Sequence, residues 1–218
     1  MESQNVFADS LPELKRLFPR LESQEISRIK NRYVNSENYW NTNGLSLNPK
    51  VIKYLLICEA PPANGHYFYF STNDYLFKQV WKCFFGNQPI CSNQTHAYQC
   101  LVNIGFLLID TIPYPVKYKS RHRRKLSYLN LIKSYLPVWV NKLNSNLVFS
   151  PDLKISFGFK LNAYAVINAS NGSITLGGIP RPLISNMIAA TGAGQPSSTL
   201  LAQKFGIQKG SFLCKPCP

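Results

Sequence analysis

Apolar runs of strand length recur along this chain, and between them the apolar residues switch to helical spacing. Val51 to Cys58 is one such run, stopped by Pro61-Pro62 and Asn64-Gly65. Phe106 to Ile109, Leu153 to Phe157 and Ile184 to Ala190 are the others. Runs this short, bounded by Gly and Pro, read as buried strands. Tyr75 to Phe85 carries Leu76, Val80, Cys83 and Phe84 on one helical face and ends at Gly86. Further helices are expected at Ala97 to Asn103, Leu126 to Leu143, Leu161 to Ile167 and about Thr199 to Phe205, with a turn or hairpin at Gly172 to Gly178. Strands alternating with helices predict an α/β fold: one domain with a central, mostly parallel four-stranded sheet and helices on both faces. The 218 residues suffice for one such core.

Residues 1–48 are polar and helical in pattern and read as an N-terminal extension packed on an α/β domain of residues 49–218. Ser10-Leu11-Pro12-Glu13 has the pattern of a helix start, with Ser10 as cap and Pro12 in the first turn. A second helix is expected from Glu22 to Tyr33, and Asn41 to Asn48 reads as loop.

Charge narrows the partner. Formal net charge is +14. Beyond Glu37 the acids are Glu59, Asp74, Asp110 and Asp152, against 18 Lys and Arg. Such a surface favours a polyanion. No apolar run is long enough to span a bilayer, and the first 30 residues lack a signal-peptide apolar region. The expectation is a cytoplasmic monomer that binds nucleic acid and no membrane. Lys117, Lys119, Arg121, Arg123, Arg124 and Lys125 place six cations within nine residues, a density suited to phosphate contact. His96 and His122 read as surface residues.

A reducing compartment would keep the six cysteines as thiols. Cys214-Lys-Pro-Cys217 has the spacing of a metal knuckle but lacks a second close pair. Cys83 and Cys100 are the residues that would complete a four-ligand set for zinc or an iron–sulfur cluster. The plainer reading is a frayed tail with free thiols and no metal or cofactor.

Two of the four late acids close apolar runs: Glu59 ends KYLLICE and Asp110 ends GFLLID. A carboxylate at the mouth of a buried strand is costly unless held. Ligands of parallel sheets bind outside the carboxyl ends of the strands. Glu59, Asp110 and the Gln195 loop therefore belong at one edge.

The segment Cys58-Glu-Ala-Pro-Pro-Ala-Asn-Gly65, followed by His66-Tyr-Phe-Tyr-Phe70, resembles the first motif of the uracil-DNA glycosylase superfamily. FLLIDTIPYP resembles its second motif, SFGFKLNAYAVI its later strand and helix, and Gln195-Pro-Ser-Ser198 its last loop. The likeness runs in order from Lys53 to Gly206. It implies a uracil-DNA glycosylase-like fold and a monofunctional N-glycosyl hydrolase acting on a base flipped out of DNA, with no cofactor. Three departures modify that expectation. Asp110 stands where uracil-specific members carry Asn; a carboxyl accepts from an exocyclic amine and, when protonated, donates to a ring nitrogen, which suits cytosine. Pro62 replaces a bulky Tyr that blocks C5 substituents. Gln195 replaces a His that stabilises charge on the base O2. Together they point to a C5-modified cytosine, such as the glucosylated hydroxymethylcytosine removed by bacterial anti-phage glycosylases of this kind.

Under this resemblance Glu59 polarises the attacking water or stabilises the sugar cation, Asp110 reads the base edge, and His66 compensates for Gln195. Ala60, Pro61 and Pro62 line the pocket, and Phe68 or Tyr69 stacks on the base. Pro196, Ser197 and Ser198 approach DNA alongside the basic loop. Plainer roles compete: Glu59 held by loop amides, Asp110 capping a turn, Ser197 or Ser198 capping a helix. The alternatives are a uracil-DNA glycosylase of base-excision repair, a silent DNA-binding module, and a metal-dependent nuclease using Glu59 and Asp110.

Overall fold

The computed structural model describes residues 3–190 and 194–214. Its centre is β1, Ile52–Cys58, flanked by β2, Phe106–Asp110, and β3, Phe149–Phe157. The strands run parallel in the order β2-β1-β3. Leu55, Leu56 and Ile57 point alternately to opposite faces, yet each is fully buried. Both faces of the sheet are therefore covered, as continuous apolar runs require. α3, Tyr75–Phe85, and α8, Ser198–Phe205, cover the face of Tyr54 and Phe106, where Phe84 and Phe205 pack against both rings. Further helices of the α/β unit are α4, Gln94–Asn103; α6, Leu126–Asn146; and α7, Lys160–Ala169.

The expected fourth strand does not join the sheet. Within 184–190, Ser185–Met187 forms a 3-10 turn, and only Ile188 bridges to Phe157. Ser185 and Asn186 are turn formers that interrupt the apolar run, and the Ser156 hydroxyl donates to the Met187 carbonyl instead. Among the described residues the sheet thus has three strands. The expected hairpin does form, as β4, Ser173–Leu176, against β5, Ile179–Pro182. Gly177 and Gly178 join them with φ of 59° and 76°, the double positive that a two-residue hairpin turn demands.

The N-terminal segment is more helical than its composition suggests. α1, Ser3–Leu17, runs through Pro12 rather than starting at Ser10, because buried Phe7 and Leu14 hold it on both sides of the proline. α2 spans Ser23–Trp40 and continues as a π-helical turn, Asn41–Leu45, where the sequence pattern predicts a loop. Ile29, Tyr33, Ser36 and Trp40 form its buried stripe, and Trp40 Nε1 donates to the Leu108 carbonyl at 2.9 Å. The extension shares the core of the α/β unit. No helix among the described residues is long and apolar enough to cross a membrane.

Candidate active site

Register places the strand ends together. Cys58 pairs with Asp110, and the Gly158 amide donates to the Ile57 carbonyl at 2.9 Å. A Cβ at Gly158 would stand 2.8 Å from the Cys58 sulfur, so only glycine permits this approach. Beyond the strands, Thr111 and Ile112 amides donate to the Cys58 and Glu59 carbonyls, extending the ladder past both acids. A cavity of about 520 Å³ opens at this edge. Glu59, Ala60, Pro61, Pro62, Phe68 and Asp110 line it, together with Lys117, Arg123, Gln195 and Pro196. The three separated segments do converge.

Asp110 is 9% exposed. Burial pushes its carboxyl up from 3.8 to about 7; the Tyr67 hydroxyl bond opposes this, while Glu37 and Glu59 reinforce it. Among the described residues its Oδ2 has no hydrogen-bond partner, and neither does the buried hydroxyl of Tyr118. Both residues line the cavity. An unpaired buried polar atom costs about 1–3 kcal/mol. Two on one cavity wall mark a surface built to meet a polar ligand. A turn-capping role for Asp110 is not what the geometry gives; Asp74 is the acid that caps, accepting from the Phe77 amide.

Glu59 differs from Asp110 in one decisive respect. Its Oε1 accepts from Arg123 Nε at 2.6 Å and from the Tyr128 hydroxyl at 2.6 Å, and its Oε2 accepts from Arg123 Nη2 at 2.7 Å. Tyr128 is supported in turn by Asn162 Nδ2 at 3.2 Å, which also donates to the Thr111 hydroxyl. Side chains rather than loop amides satisfy this carboxylate. Burial pulls the Arg123 guanidinium down, but Glu59 more than offsets it and holds the group above its ordinary value. Arg123 also lies 4.1 Å over the Phe159 ring. The sequence pattern puts it among the phosphate contacts; it faces inward, because carboxylate and ring together capture it.

The remaining expected residues divide. Phe68 borders the cavity but is gripped by Tyr69, Phe77 and Phe106. Tyr69 does not border it: its hydroxyl is tied to the Leu108 carbonyl and amide. Phe159, which sequence patterning missed, is a half-buried ring on the cavity wall. His66 is exposed and outside the lining, so it has no place beside Gln195. Ser197 caps α8 through the Leu200 amide, and Ser198 is buried with its amide on Gln79 Oε1; neither faces outward to DNA. His122 is buried, not superficial. It packs 4.5 Å from Phe18, and its Nδ1 accepts from the Lys119 amide.

The basic loop folds partly as α5, Ser120–Arg123. Lys117, Lys119 and Arg121 line a groove of about 850 Å³ with Arg20, Arg28 and Arg32 of the N-terminal segment. Ala63, Val116 and Lys117 border both this groove and the cavity, so the two are contiguous. Arg124 and Lys125 are exposed but border neither. The arginines of α2 were not legible as site residues, since a helical face with scattered cations is ordinary. Of the cysteine ligand set, Cys83 is fully buried in α3, Cys100 is disulfide-bonded to Cys214, and Cys217 lies outside the described residues. No family model, curated protein or solved structure matches the chain.

Proposed function

We propose that the protein is a DNA glycosylase that hydrolyses the N-glycosidic bond of a flipped cytosine-type nucleotide, with a C5-modified base as its target. One observation carries this reading: Asp110, titrating near 7 with an oxygen unpartnered among the described residues, faces a cavity of about 520 Å³ at the strand ends. That size accepts a small ligand, and the adjoining cationic groove suits the phosphates on either side of it. Protonated Asp110 donates to the base N3 and accepts from its N4 amine. Pro62 leaves the C5 side open. Phe159 takes the stacking role more readily than Phe68, whose ring is already enclosed.

The bond between C1′ and the base nitrogen breaks with its electron pair leaving on the base. Gln195 and Arg123 are the N–H donors that meet charge developing on O2. Water then adds to the sugar cation and gives its proton to solvent. In this scheme Glu59 is a positioning residue: it anchors Arg123 at the wall and lends negative potential to the sugar. Its three bonds leave it poorly suited to deprotonate water or to hold a divalent cation, which weighs against a nuclease.

The test is incubation with DNAs bearing cytosine, its C5-modified forms and uracil, followed by mass spectrometry of released bases. A modified cytosine is expected, and Glu59→Gln should abolish its release while DNA affinity persists. No base released from any of these DNAs would overturn the reading.

A further inference from the structure

We propose that His96, Cys100 and Cys214 form a zinc site when the thiols are reduced, with solvent completing the tetrahedron. This lies outside the cavity and does not depend on the glycosylase reading. His96 and Cys100 stand four residues apart in α4 and so share one helical face. The Nε2 of His96 is 3.9 Å from the Cys214 sulfur, and the three ligand atoms lie within 4.8 Å of one another. In a tetrahedral zinc site the bond lengths of about 2.0 Å to nitrogen and 2.3 Å to sulfur separate ligand atoms by roughly 3.5–3.8 Å. The separation of His96 from the Cys214 sulfur is already near that value, and the two bonded sulfurs reach it only once reduction frees them. The donor set is soft, nitrogen and sulfur with no oxygen, which selects zinc over magnesium or calcium.

A second observation shows that the disulfide is not all that brings the tail to α4. The Cys214 amide donates to Gln88 Oε1 at 3.1 Å, and Gln88 Nε2 donates to the Phe212 carbonyl at 2.8 Å. Phe212 and Gly210 amides donate to the Phe84 and Cys83 carbonyls. These bonds hold the segment along the end of α3 whatever the state of the sulfurs. The cluster is therefore preset for a ligand. Cys100 is buried while His96 and Cys214 are half-buried, an arrangement with an entry path from solvent.

Zinc and the Cys100–Cys214 bond exclude each other, because a tetrahedral ion needs its sulfurs apart. A phosphine reductant takes the disulfide to two thiols, itself becoming the phosphine oxide with an oxygen from water. On zinc binding the thiols release their protons to solvent.

The experiment uses the full chain, produced with zinc and purified under the phosphine. Elemental analysis should find one zinc per chain. Replacement by Co²⁺ should give the intense visible bands of a tetrahedral thiolate site. His96→Ala and Cys214→Ser should each weaken zinc binding by at least about tenfold. His96→Cys should retain it, and Cys83→Ser should leave it unchanged. His96→Cys and Cys83→Ser guard against loss through misfolding. A reduced, folded protein that takes up no zinc overturns the proposal, as does iron with sulfide, or His96→Ala binding zinc as tightly as the parent.

Discussion

Replacing Asp110 by Asn separates the titration of this carboxyl from its shape. The folded protein holds Asp110 near 7 against 3.8 in the absence of burial, a difference worth about 4 kcal/mol. The sign follows from proton counting. Between these two values the native state binds more protons at this position than the unfolded chain does, so stability falls as pH rises. The Asp110 contribution is complete below about pH 4, is lost progressively up to about pH 7, and is level above that. The amide introduced by Asp110→Asn does not titrate and keeps an acceptor for the Tyr67 hydroxyl. Any fixed cost of its NH₂ group is independent of pH. The difference in unfolding free energy between variant and parent should therefore swing by about 4 kcal/mol in favour of the variant across this window. For a chain of this length that is about 10 °C in Tm.

Urea unfolding at half-unit steps from pH 4 to 9 measures the swing directly. Parallel stability curves for the two proteins would refute the burial argument. Activity carries the same sign. If protonated Asp110 donates to the base, release of modified cytosine is fastest below about pH 7 and falls about tenfold per pH unit above it. Asp110→Asn should lose this dependence, act more weakly on cytosine-type bases and admit uracil. A parent that already releases uracil efficiently, with no change on substitution, would end the base-reading role.

Arg123→Ala strands the Glu59 carboxylate in a pair whose side chains are only 10% and 14% exposed. Breaking one partner of such a pair costs about 3–5 kcal/mol, and a double-mutant cycle with Glu59→Gln should recover much of it as coupling. A loss below about 1 kcal/mol in urea unfolding, or strict additivity, would contradict the clamp. Tyr118→Phe removes a hydroxyl that bonds to nothing among the described residues. Stability should change by less than about 1 kcal/mol while base release slows, and a variant with parental activity would show that this hydroxyl meets no substrate.

The strand ends were legible because parallel strands buried on both faces leave an unmistakable pattern: an apolar run that stops at one polar residue. Glu59 and Asp110 were found that way, and the rule for parallel sheets gathered them with Gln195. The fourth strand was overread because Ile184 to Ala190 is apolar enough only if Ser185 and Asn186 are ignored, and those two decide the local geometry. The inward turn of Arg123 was illegible for a different reason. Within Lys117 to Lys125 its residue type matches its neighbours, and what distinguishes it is Phe159, Tyr128 and Glu59, each more than a helical turn away in sequence. His122 was hidden by the same cations, and the approach of Cys100 to Cys214 spans 114 residues.

This explains why the two acids, identical as sequence signals, have different chemistry. A strand-end carboxylate must recover its lost hydration, and the fold does so for Glu59 with a guanidinium and a phenol. Asp110 receives Tyr67 and is otherwise left short, with one oxygen unpaired and its carboxyl near 7. Satisfying Asp110 in the same way would lower its titration and place a donor where the proposed base edge would sit. The uncompensated acid is therefore the one that can both accept and donate at neutral pH, and the compensated one can only hold its neighbours in place. Arg123 links the two tasks: it holds Glu59, whose charge adds to the upward push on Asp110, and it brings an N–H donor to the same wall.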